Sequence, residues 1–129
     1  MKLRWGQGGC QLLIHTLSRR ITVLELPRFQ FPYCNCVWIN DDQTGLIDSS
    51  PPDDCRDFLQ GRPIDLLLQS HGHLDHVFLT PYLKASQVLM HPADHPMAES
   101  GDGYLQEFGF HLLVPDKRLH QRYLDAIHY

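Results

Sequence analysis

Hydrophobic and polar positions along the chain alternate in a way that separates strands from helices. Ile21-Thr22-Val23-Leu24-Glu25-Leu26 alternates, is β-branched and is stopped by Pro27, so it predicts a strand. Cys34 to Asn40, with Val37, Trp38 and Ile39, predicts a second strand. The polar run Asp41-Asp42-Gln43-Thr44-Gly45 predicts a turn, and Leu46-Ile47-Asp48 returns as a short strand to complete a hairpin. Ser49-Ser50-Pro51-Pro52 ends it. Asp53 to Gln60 suits a short helix, with prolines ahead of it and Gly61 just beyond. Ile64-Asp65-Leu66-Leu67-Leu68, between Pro63 and Gln69-Ser70, is nearly continuous apolar sequence and predicts a strand buried on both faces.

The second half is less regular. His76 to Ala85 predicts a helix whose length Pro81 limits. Gln87 to Met90 predicts a strand closed by His91-Pro92, and Ala93 to Glu99 one or two helical turns. In the tail, Asp116 to Tyr129, Leu119, Tyr123 and Ile127 recur at a spacing of four, one stripe of an amphipathic helix. Residues 1–20, with Gly6, Gly8 and Gly9 close together, are weakly patterned and are expected to form a leader ahead of one domain over 21–129.

Composition narrows the function classes. The chain has 129 residues, 43% hydrophobic and 20% charged, which is the balance of a globular domain. Net charge is -4 and the 11 Lys and Arg are scattered, so no basic stripe is present for nucleic acid. No run approaches the ~18 apolar residues of a membrane span. Arg19-Arg20 resembles an export signal only superficially. Glu25, Pro27 and Arg28 leave no apolar segment after it, and a cytoplasmic location is expected. The four cysteines, Cys10, Cys34, Cys36 and Cys55, are too sparse for a disulfide framework and are expected to be free and buried.

Nine histidines are the unusual feature, and His71-Gly72-His73-Leu74-Asp75-His76 concentrates three of them with a carboxylate. Catalytic zinc takes imidazole nitrogen and carboxylate oxygen at about 2.0–2.2 Å and leaves a position open for water. Ligands one residue apart, like His71 and His73, share a side of an extended segment and converge on one ion. Asp75 and His76 follow where the chain turns into the next helix and face another direction. Two divergent pairs suit two ions about 3.5–4 Å apart. Gly72 is expected to let the backbone turn tightly between the imidazoles. A merely solvated loop would not need four donors in six residues directly after a buried strand.

This segment resembles the His-x-His-x-Asp-His signature of the metallo-β-lactamase superfamily. Leu46-Ile47-Asp48-Ser49 resembles that family's Leu-Ile-Asp-Thr stretch, and Asn35-Cys36-Val37-Trp38-Ile39 its upstream strand. The likeness covers about residues 21–92, the N-terminal half of the family's fold. It implies an α/β (α+β) architecture: part of an αβ/βα sandwich, with a mixed sheet and flanking helices. It implies that His71 and His73 bind a first metal, that Asp75 and His76 bind a second, and that Asp48 supports the site from behind. Asp75 is the candidate catalytic carboxylate, and Ser70 is a hydrogen-bonding neighbour of the metal loop. The implied cofactor is Zn2+ at one or two sites, with iron and manganese the other metals the family uses. The implied reaction is hydrolysis of a small-molecule ester, thioester, lactone, amide or phosphoester by water that the metal acidifies toward a pKa of ~7.

The sequence departs from the family in three places. The later third histidine, bridging aspartate and last histidine have no counterpart, and no Gly-His-Thr-x-Gly-His motif occurs. Val77 and Phe78 follow the signature where small residues are common, and Ser50 stands where glycine is usual. The chain is therefore expected to be a fragment or truncated product with an uncovered apolar sheet face, through which it self-associates. The competing function is a catalytically inactive remnant that binds metal weakly or serves only in association. Among the remaining residues, His91, Asp94 and His95 read as loop polarity, with substrate or metal contact as the sharper reading. His111, His120 and His128 read as solvated. Asp53 and Asp54 read as a helix N-terminus, and Trp38 and Phe78 as core.

Overall fold

The computed structural model describes residues 13–127. Six strands form one mixed sheet in sequential order: β1 (Ile14–Thr16), β2 (Ile21–Leu24), β3 (Cys36–Asn40), β4 (Thr44–Ile47), β5 (Ile64–Leu68) and β6 (Ala85–Leu89). The first four strands form an antiparallel meander, whereas β4, β5 and β6 run parallel. Parallel neighbours need crossover connections. Helix α1 (Asp53–Leu59) makes the first, and the segment carrying the histidine signature makes the second. Strand β1 lies within the expected leader, so residues 14–16 belong to the sheet; residues 1–12 lie outside the described residues.

Register divides the sheet into two faces. Thr22, Trp38, Leu46 and Leu67 pair across β2 to β5 and share a face. Leu46 and Leu67 are fully buried there with Leu24, Cys36 and, from α1, Cys55 and Leu59. Asp53 and Asp54 fall in the first turn of α1, as read from the sequence, where the helix dipole favours negative charge. Thr44 fixes the β4–β5 register at the lower end. Its backbone N–H and hydroxyl both donate to Asp65 Oδ2, at 2.7 and 2.9 Å, and hold that carboxyl below its usual range.

On the opposite face Val23, Val37, Ile47, Leu68 and Leu89 form a row across five strands. These residues are half-buried, and Leu89 is exposed. The expectation that β5 is buried on both faces is therefore corrected: Leu66 and Leu68 are only half-covered, and the core lies on the Leu67 side.

A second apolar cluster lies past the signature. It joins Leu74, Met97, Tyr104, Leu105 and Leu124, with Phe78, Phe110, Tyr123 and Ile127 against it. It is built by α2 (Leu74–Val77), α3 (His95–Glu99), α4 (Gly101–Glu107), α5 (Phe110–Leu113) and α6 (Lys117–Ile127). The helix expected over 76–85 is instead the single turn α2 and a 3-10 turn at Thr80–Tyr82, which begins beside Pro81. Helix α4 was not anticipated, because Gly101 and Gly103 weaken helical propensity. A Cβ on Gly103 would lie 1.9 Å from the Pro96 carbonyl oxygen, and one on Gly101 would lie 2.7 Å from Leu124 Cδ1. Close packing accounts for both glycines. In α6 the buried residues are His120 and Leu124; Tyr123 and Ile127 of the expected stripe pack on the second cluster, while Leu119 faces solvent. No helix of the described residues is long and apolar enough to cross a membrane.

Candidate metal centre

The signature occupies the connection at the C-terminal end of β5, beside the end of its parallel neighbour β4, where open α/β sheets gather ligand sites. Asp48 is the first residue past β4. It adopts a left-handed backbone, φ 59°, which few residues other than glycine and the Asx pair accept readily. Several bonds hold it there. Its N–H donates to the Leu68 carbonyl at 2.9 Å. Its Oδ1 accepts from the Ser70 N–H at 2.8 Å, and its Oδ2 accepts from the Ser70 hydroxyl at 2.8 Å.

His76 Nδ1 lies 2.8 Å from the same Asp48 Oδ2. A carboxylate only accepts, so Nδ1 is the donor in this contact, and in the neutral ring the lone pair then lies on Nε2. Nε2 faces the other side of the ring, where Asp75 Oδ2 lies 3.7 Å away. The short helix α2 is itself anchored to the end of β4, since the Ser49 N–H and Ser49 hydroxyl both donate to the His76 carbonyl at 2.9 Å. Asp48 is thus placed to orient His76 and fix its tautomer.

The three signature imidazoles converge. The His71 ring centroid is 4.5 Å from that of His73 and 4.0 Å from that of His76. Ser70 Oγ, already bonded to Asp48, also lies 3.0 Å from His71 Nδ1. Burial, followed by the charges of His76 and His73, pushes the His71 pKa down. His71 therefore keeps a lone pair for a ligand to lower pH than a free histidine would. Phe108 stacks beside His73 with centroids 5.3 Å apart.

Gly72 departs from its expected role. Its φ is not positive. What it provides is space: a Cβ there would lie 2.9 Å from the Asp94 carbonyl oxygen and 3.3 Å from Met97 Cβ. Asp94 Oδ1 in turn accepts from the Gly72 N–H at 3.2 Å. Asp94 therefore pins the loop, a role the sequence did not suggest. His91 Nδ1 accepts from the Ala93 N–H at 3.2 Å, capping the 3-10 turn Pro92–Asp94. His120 is not solvated as expected. It is buried, and its Nε2 bonds to the Val114 carbonyl. His111 meets it edge-to-face, with centroids 5.3 Å apart, and His128 lies outside the described residues. Trp38 is buried, and Phe78 packs on the second cluster, so both serve packing as read.

Cys34 is the neighbour that sequence reasoning missed. Cys34, Cys36 and Cys55 are free and buried, as expected. Cys34, however, offers its sulfur within 4.8 Å of donor atoms of both Asp48 and His76. The Cys34 N–H donates to the Ser50 carbonyl at 2.8 Å, which draws residues 34 and 48–50 together. Nothing in the spacing from position 34 to position 76 signals that approach. Cys36, 3.8 Å away sulfur to sulfur, has its pKa raised by the hydrogen bond to Cys34 and then by burial.

The donor set suits a metal ion: three converging imidazoles, a neighbouring carboxylate, and a buried carboxylate behind them. Comparison with known proteins agrees. A family model described as the metallo-beta-lactamase superfamily matches residues 30–118. No curated protein and no solved structure gave a match. The family match takes in β3 to β6, Asp48, the whole signature and most of the second cluster, more than half of the sequence, and the chain belongs to the metallo-beta-lactamase superfamily.

Proposed function

We propose that the chain is a metal-dependent hydrolase, in which His71 and His73 hold one ion and Asp75 and His76 face a second, with zinc as the metal. The observation that carries this reading is the contact of His76 Nδ1 with Asp48 Oδ2 at 2.8 Å. The Nδ1–H is spent on Asp48, so Nε2 presents a lone pair on the side of Asp75. Bound there, the metal would supply Lewis acidity and a water acidified toward a pKa of ~7.

The chain's own residues have separable tasks in this reading. Asp48 and Ser70 orient His76 and His71. Asp94 pins the loop at Gly72. Phe108 shields one side of the His73 ring. Asp75, part-exposed and 3.7 Å from His76 Nε2, is in this reading the carboxylate that takes a proton from an attacking water. The substrate class is a small ester, thioester, lactone, amide or phosphoester.

A second reading is favoured by the half-covered row Val23, Val37, Ile47, Leu68 and Leu89. In it the chain is non-catalytic, binds metal weakly and associates through that face. Turnover separates the two. Chelator-sensitive hydrolysis of thioester, lactone or phosphodiester test substrates, well above the free-zinc rate and lost in His73→Ala, supports the hydrolase. Turnover no faster than free zinc, with metal demonstrably bound, supports the second reading.

A further inference from the structure

We propose that Cys34, Asp48 and His76 form a second cation site, behind the signature, that takes a thiophilic divalent metal such as zinc. Three separate segments supply the donors: the approach to β3, the residue after β4, and α2. Their donor atoms already lie within 4.8 Å of one another. Cys34 and Asp48 are both almost fully buried. Thiolate, carboxylate and imidazole together suit zinc and its relatives, whereas magnesium and calcium prefer oxygen alone.

Cys34 has no part in the signature reading and Asp48 serves there only as support, so the site does not depend on that reading. The two do compete for His76. Asp48 lies against Nδ1 and Asp75 lies toward Nε2, so an ion with Asp48 and Cys34 takes Nδ1. Binding releases the Cys34 thiol proton to solvent and moves the imidazole proton, through solvent, from Nδ1 to Nε2. His76 then has no lone pair for an ion beside Asp75. Filling the rear site would empty half of the front one.

Cobalt(II) replaces zinc with a visible signature. The metal-free chain titrated with one equivalent of cobalt should show the sulfur-to-cobalt charge-transfer absorption of a thiolate ligand. Cys34→Ser and Cys34→Ala should each lose the band. Cys10→Ser, Cys55→Ser and the double variant His71→Ala/His73→Ala should keep it. The wild-type arm does not depend on any variant folding. Absence of the band from wild type overturns the proposal, as does survival in both Cys34 variants or loss in Cys10→Ser. Loss in the His71/His73 double variant overturns the claim that the site is separate. Failure of the signature reading itself is seen elsewhere, as zinc content unchanged in that double variant.

Discussion

Asp48 Oδ2 accepts the Nδ1 proton of His76 at 2.8 Å, across 28 residues of sequence, from a backbone held at φ 59°. This contact ties the end of β4 to α2 and decides which nitrogen of His76 is free. Asp48→Asn keeps the size and tolerates the left-handed backbone, but an amide offers one oxygen where the carboxylate offers two. Supporting groups of this kind typically contribute about 10–100-fold to metal affinity. Zinc affinity, measured by chelator competition, is expected to fall by roughly that factor. Unchanged affinity would remove Asp48 from the site.

Gly72→Ala tests the packing of the loop. The added Cβ meets backbone at Asp94, at 2.9 Å, and that neighbour cannot swing away. Overpacking of this type costs about 1–3 kcal/mol. Urea unfolding should show a loss in that range, together with weaker metal binding, since Gly72 lies between two proposed ligands. An Ala variant as stable as wild type would mean the Asp94 contact does not persist in solution.

The two faces of β5 provide an internal comparison. Leu67 is fully buried and Leu68, its neighbour, is half-buried. Leu67→Ala should cost about 2–5 kcal/mol, as large-to-small changes in cores do. Leu68→Ala should cost clearly less. Equal losses would mean that the Leu68 face is covered in solution, as the association reading requires.

The sheet was largely legible in the sequence. Ile64–Leu68 has the bounds its apolar run implied, and the hairpin of β3 and β4 follows its polar turn. The signature stands out in the sequence because it gathers four potential donors in six residues. Three things were not legible, each for a physical reason. Helix α4 was hidden by glycines selected for close packing. The burial of His120 depends on Val114 and Phe110, which a residue-type reading cannot place. Cys34 reaches Asp48 and His76 only through strand order and the Ser50 clamp, which leave no periodicity to detect.

The pH dependence follows from His71. Burial and the flanking imidazoles lower its pKa in the folded chain below the ordinary 6.5. The folded state therefore binds this proton less readily than the unfolded state. Its contribution to stability is fully present above pH 6.5 and is lost as pH falls below that value, through the lowered pKa. Stability measured from pH 8 to pH 5 should decline at the acid end, and His71→Gln should reduce the decline. An identical profile in the variant would contradict the assignment.

Zinc content tests the central claim most directly. The metal-free chain, reconstituted with zinc and passed through a desalting column, should retain it in wild type. The double variant His71→Ala/His73→Ala should lose the share held by that imidazole pair, as read by elemental analysis. Zinc still held should fall further when Cys34 is also replaced. Wild-type zinc content in the double variant would show that the His71–His73 pair is not where the metal binds.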